Sequence, residues 1–184
     1  VISVLVTIGG FVKRFVGLLF APLLSLPLLG GQQDLSSLRN FLWVEAEFCT
    51  GGQPSLEHLS QLASQGVRGV LNLREPHEHN WADEQAKTQA LGLKYFSIPV
   101  APRNPKDVQV DQFLRLTDNT DLRPLFIHCT AAVRVGAFWM IRRVLKEGWS
   151  IEKAEEEAAR IGLRLGSDLH KFSLNYIKTN KGSH

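Results

Sequence analysis

"LFIHCTAAVRVGAF", residues 125–138, decides how the chain is read. An apolar run closes on His128 and Cys129, Arg134 stands five places past the cysteine, and a helical pattern continues through "WMIRRVLKEG". A buried strand followed at once by a helix puts Cys129 at their junction. There the chain turns and its backbone N–H groups are left without helical partners.

Working outward, the same alternation recurs. "FLWVEAEFCTGG" reads as a strand or hairpin, and "VRGVLNLRE" and "KYFSIPV" as strands. Between them lie "SLEHLSQLASQG", capped by Ser55 and closed by Gly66, "DEQAKTQALG", closed by Gly92, and "PKDVQVDQFLRLTDN". Two further helices follow, "IEKAEEEAARIG" capped by Ser150 and "SDLHKFSLNYIK". Strand alternating with helix predicts an α/β fold with a mainly parallel central sheet flanked by helices. Ligands of such sheets gather at the carboxyl ends of the strands. Cys129 lies on that edge, as do the loops "REPHEHNWADE" and "APRNPKD".

At 184 residues and 44% hydrophobic content, the chain suits one folded domain. Its 21 basic and 18 acidic residues are scattered, with no basic run to track a phosphate backbone, so nucleic acid is not an expected partner. Two cysteines, Cys49 and Cys129, make neither a disulfide scaffold nor a metal-ligand spacing, and no metal or cofactor is expected. Residues 1–31 hold two apolar runs split by Lys13 and Arg14, the layout of a signal peptide or membrane anchor. The expected location is therefore the periplasm or cell envelope, with the cytoplasm as the alternative. Residues 32–40 read as a polar linker, and the domain is expected over residues 41–180.

A cysteine at such a turn faces a concave cluster of N–H donors backed by the positive end of a helix. That setting lowers a thiol pKa and favours the thiolate at neutral pH. Arg134 adds a planar fork able to grip two phosphate oxygens. A buried core cysteine beside a surface arginine satisfies the same spacing.

Beyond spacing, "HCTAAVRVGA" resembles the phosphate-binding loop of cysteine-dependent phosphatases of the tyrosine and dual-specificity type. It is most similar to the DUF442, or beta-lactamase hydrolase-like, branch with its shorter loop. "VEAEFCTGGQPSLEHLSQLASQGVRGVLNLRE" and "LGLKYFSIPV" resemble that branch as well, so the likeness spans roughly residues 41–176. The resemblance implies a phosphorylated substrate attacked by Cys129, with Arg134 and the amides of Thr130, Ala131, Ala132, Val133, Arg134 and Val135 holding its oxygens. His128 would orient the loop and tune the thiolate.

The chain departs from that pattern at Ala132 and Val133, where the branch has Gly-Asn, and an alanine restricts a loop that needs unusual backbone angles. Candidates for the general acid are Asp107, Glu75, Glu78 and Asp83, with His77 and His79 in the same crevice. Arg103 could contact a polyanionic substrate. Three activities remain open at this stage: a phosphatase for phosphotyrosine-like or small phosphorylated substrates, a rhodanese-like sulfurtransferase, and a phosphate-binding module with little turnover. Cys49 is a candidate for a reversible disulfide with Cys129, or a small core residue.

Overall fold

The computed structural model describes residues 35–181. The apolar runs, and with them the expected signal peptide or membrane anchor, lie outside the described residues. Among those described, no helix is long and apolar enough to cross a membrane.

Five strands form one sheet in the order β1-β2-β5-β3-β4. β1 (Leu42–Glu45) and β2 (Phe48–Gly51) make an antiparallel hairpin. β2, β5 (Leu125–His128), β3 (Gly69–Asn72) and β4 (Lys94–Ser97) run parallel. The α/β expectation is met. β5, last in sequence, inserts between β2 and β3 and is buried along its length, which is why its pattern is a continuous apolar run.

Alternation along the strands sorts side chains to the two faces. Phe48, Leu71, Leu125 and Ile127 join a core with Val110 and Phe113 of α3 (Asp107–Asp118), Phe138 of α4 (Val133–Glu147), Ala154 and Ala158 of α5 (Ile151–Ile161) and Tyr176 of α6 (Asp168–Asn180). Cys49, Val70 and Phe126 face the other way, onto Leu59 and Leu62 of α1 (Leu56–Ser64) and onto Leu93, which follows α2 (Trp81–Ala90). Ser55 caps α1 and Ser150 caps α5 through their hydroxyls, as expected.

Residues 35–40, read as linker, instead pack with the domain, because Leu35 and Leu38 are buried in the second core. Of the two readings of Cys49, the structure fits the small core residue. Cys49 stands opposite Phe126 on β5 and packs with the second core, whereas Cys129 belongs to the first. Their side chains leave opposite faces of the sheet, so this fold does not pair them. Burial pushes the Cys49 thiol pKa well up, as for an inert core residue.

Candidate active site

β5 ends at His128, and the four residues Cys129 to Ala132 carry the chain into α4. Contacts on its outer side fix this loop. Thr130 O accepts from Gln53 N (3.3 Å), and Ala131 O accepts from Asn40 Nδ2 (3.0 Å). Each carbonyl is thus anchored, and Ala131 stands in an antiparallel bridge opposite Gly52 just past β2. Two glycines permit the approach. A Cβ at Gly52 would stand 2.9 Å from Thr130 O, and one at Gly162 3.0 Å from Ala131 O.

Ala132 adopts φ 60, ψ 4, the left-handed conformation usually left to glycine. That is the strained angle expected where the related branch has glycine. The first intrahelical bond runs from Gly136 N to Ala132 O at 2.8 Å, so the N–H groups of Val133, Arg134 and Val135 precede it and lack helical acceptors. The first turn of α4 thus presents three amides without helical acceptors, with buried Cys129 just ahead of it in the chain.

Arg134 is 3% exposed and tightly held. Its Nη1 donates to Glu78 Oε1 (2.6 Å) and Val100 O (2.9 Å), and its Nη2 to Glu78 Oε2 (2.7 Å) and Thr130 Oγ1 (3.0 Å). Of the five guanidinium N–H donors, only that on Nε is left over. Burial opposes its charge, but Glu78 and the neighbouring Cys129 carry its pKa above the ordinary value.

The sequence candidates for the acid separate in space. Glu78, on the 3-10 turn Pro76–Glu78, joins the site, but its bonds to Arg134 hold its carboxyl far below the usual range, so it accepts hydrogen bonds rather than donating a proton. Glu75 is the N-cap of that turn, and its N–H donates to Glu78 Oε1 at 2.8 Å. Asp83 is exposed in the first turn of α2 and accepts from Asn80 Nδ2 at 2.5 Å. Asp107 is the first residue of α3 and exposed, with Lys106 at the N-cap. His77 is exposed, and Arg103 lies in the turn before α3.

Sequence reasoning missed the buried layer beneath the loop. His128 Nε2 lies 2.9 Å from Oε1 of Glu84, which is buried on α2. Glu84 Oε2 accepts from Gln53 Nε2 and lies 3.5 Å from His79 Nε2. Gln53 Oε1 in turn accepts from Arg74 Nη1 (2.6 Å), and Arg74 reaches Glu78 through Nε (3.4 Å). Burial alone would raise Glu84, yet His128, Gln53 and His79 together bring its pKa down to about 2. Burial lowers the pKa of His79. The available signal was the spacing of Glu84, Thr88 and Leu91 on one helical stripe that ends in a leucine.

A family model described as "DSP-PTPase phosphatase fused to NAD+ Kinase" matches residues 34–166. The chain is 24% identical over 144 residues to the beta-lactamase hydrolase-like protein of Xylella fastidiosa strain Temecula1, covering 76% of this chain and 33% of that protein. It thus spans about a third of the length of the curated relatives it matches. Among solved structures, a DUF442 phosphatase of Shewanella putrefaciens CN-32 superposes with TM-score 0.66 at 23% identity, over 79% of this chain and 95% of that one. The core catalytic domain of the PP-IP phosphatase SIW14 of S. cerevisiae, solved with citrate, gives 0.66 at 20% identity over 78% and 94%. TpbA of P. aeruginosa gives 0.62 at 20% identity over 78% and 86%, and TpbA has also been solved with phosphotyrosine. These likenesses establish a cysteine-phosphatase fold.

Proposed function

Since the chain belongs to the DSP-PTPase phosphatase family described as fused to NAD+ kinase, we propose that it is a cysteine-dependent phosphatase acting on phosphate monoesters. The observation that carries this is Cys129 at the junction of β5 and α4, with Arg134 fixed beside it by Glu78. Cys129 attacks phosphorus as the thiolate, the ester oxygen departs, and water then hydrolyses the cysteinyl-phosphate. Charge developing on the equatorial oxygens meets the amides of Ala131 to Val135 and the Arg134 guanidinium. A phosphate gripped through Nε and Nη2 takes the place that the Thr130 hydroxyl holds in the free protein.

Among the described residues the leaving oxygen finds no well-placed acid, because Glu78 is ionised against Arg134 while Asp83 and Asp107 are exposed at helix starts. Aryl phosphates depart with little protonation, so the substrate class we propose is phosphotyrosine-like. Relatives solved with phosphotyrosine or described as acting on PP-IP fit a phosphorylated substrate in general.

Hydrolysis of para-nitrophenyl phosphate by the full chain, beside Cys129→Ser and Arg134→Ala, tests the reading. Activity lost in both variants supports it, and activity retained in Cys129→Ser ends it. A second reading, phosphate binding without turnover, is favoured by strained Ala132 and by the four engaged donors of Arg134; vanadate binding without hydrolysis would select it. We also propose, from composition alone, that residues 1–31 export or tether the domain, which fractionation of cells expressing the full chain checks.

A further inference from the structure

Behind the Cys129 loop lies a set of charged groups, all buried except Glu78, which is partly exposed. Glu84 and Glu78 are the carboxylates, Arg74 and Arg134 the guanidiniums, and His128 and Cys129 the groups whose charge is variable. Two carboxylates balance two guanidiniums, so the set is neutral when His128 and Cys129 are both uncharged. Ionising Cys129 alone would leave a net negative charge in a low-dielectric interior, which is costly. Ionising Cys129 while His128 carries a proton restores neutrality.

Geometry favours that second state. The His128 ring is wholly buried, with Nε2 2.9 Å from Glu84 Oε1, and it lies parallel to the Phe126 ring at 5.3 Å between centroids. A carboxylate in line and an aromatic face beneath both favour an imidazolium. His128 Nδ1 is buried without a partner among the described residues. Leaving that N–H unpaired is a smaller penalty than burying the Glu84 carboxylate with no cation beside it.

We propose that Glu84 is a positioning residue for the reaction: by holding His128 as an imidazolium, it lets Cys129 persist as a thiolate within a neutral buried cluster. The inference rests on the phosphatase reading for its purpose, though not for its chemistry. In proton terms, the proton leaving Cys129 Sγ passes to solvent, and His128 keeps its own between Nε2 and Glu84 Oε1. The other titratable or charged groups facing the pair are His79, ahead of α2, Tyr95 on β4, which shares Asn72 with His79, and Arg74 through Gln53. Burial lowers the charge-bearing tendency of His79, and Tyr95 is kept neutral by burial and by Glu84. Cys129 itself faces Arg134 from α4.

The test is the pH dependence of iodoacetamide alkylation at Cys129, read by peptide mass in the full chain, since it needs no turnover. Glu84→Gln should move the midpoint upward by about one unit, a tenfold loss of thiolate at acidic pH. Glu84→Asp should recover part of that shift. The double variant Glu84→Gln/His128→Asn should react like His128→Asn alone, because Glu84 acts through His128. Nitrogen-15 shifts of the His128 ring in the unaltered protein at pH 7 should show both nitrogens protonated, a readout that survives misfolding of any variant. A neutral His128 ring, or an alkylation profile in folded Glu84→Gln that matches the parent, overturns the proposal. If the profile shifts while para-nitrophenyl phosphate is never hydrolysed, the relay stands and the phosphatase reading falls.

Discussion

Replacing Ala132 by glycine and by valine probes the one strained backbone position of the loop. At φ 60 an alanine carries the left-handed penalty of about 1–2 kcal/mol, which glycine removes. Against that, glycine frees the unfolded chain by about 0.4–1 kcal/mol. It also gives up a fully buried methyl group, about 0.8 kcal/mol. The terms nearly cancel, so Ala132→Gly should leave stability within about 1 kcal/mol of the parent, a change in Tm of about 2–4 °C at most. Valine keeps the strain, adds a β-branch and must fit where the parent side chain is already wholly buried, so it should cost at least about 2 kcal/mol. Urea denaturation of the three proteins at one pH, compared at equal slope, measures both differences. A neutral valine variant, or a glycine variant stabilised by more than about 2 kcal/mol, would show that the bookkeeping for this backbone angle is wrong.

Other consequences can be read from the same contacts. Glu78→Gln leaves buried Arg134 without its carboxylate and should cost roughly 2 kcal/mol, less than a fully buried pair because Glu78 is partly exposed. Vanadate, supplying the missing anion, should then raise Tm more in that variant than in the parent, as thermal shift would report. Gly136→Ala gains helix propensity but sets a Cβ 2.8 Å from Ala158 O. Denaturant titration should therefore show a net loss of about 1–3 kcal/mol. The depressed pKa of Glu84 fixes a sign for acid stability: its contribution is complete above the ordinary value of 4.5 and is lost as pH falls toward about 2. Glu84→Gln should flatten that part of a pH-stability curve, worth about 3 kcal/mol in the parent.

The elements were legible because each carries a local signal. Ser55 and Ser150 cap their helices, glycines close them, and the uninterrupted apolar run of β5 marks a strand buried on both faces. The candidate loop was legible for a different reason, since Cys129 and Arg134 stand five places apart at a strand–helix junction and that spacing is chemistry in itself. The polar layer was not, because its partners are distant in sequence: Glu84 lies 44 residues from His128, and Glu78 lies 56 from Arg134. Only the β5 insertion between β2 and β3 brings them together. Residues 35–40 misled through composition. They are mostly polar, yet Leu35 and Leu38 fill the second core and Asn40 holds the carbonyl of Ala131. Of the two readings of Cys49, only the small core residue survives, because strand alternation sends it to the face opposite Cys129.

The most direct measurement is rapid acid quenching of the full chain during para-nitrophenyl phosphate turnover, followed by peptide mass analysis. Covalent chemistry at this loop requires a phosphoryl group on the peptide that contains Cys129, absent from Cys129→Ser and absent from Cys49. Turnover that continues in Cys129→Ser, or a phosphoryl group found on any other residue, would contradict it.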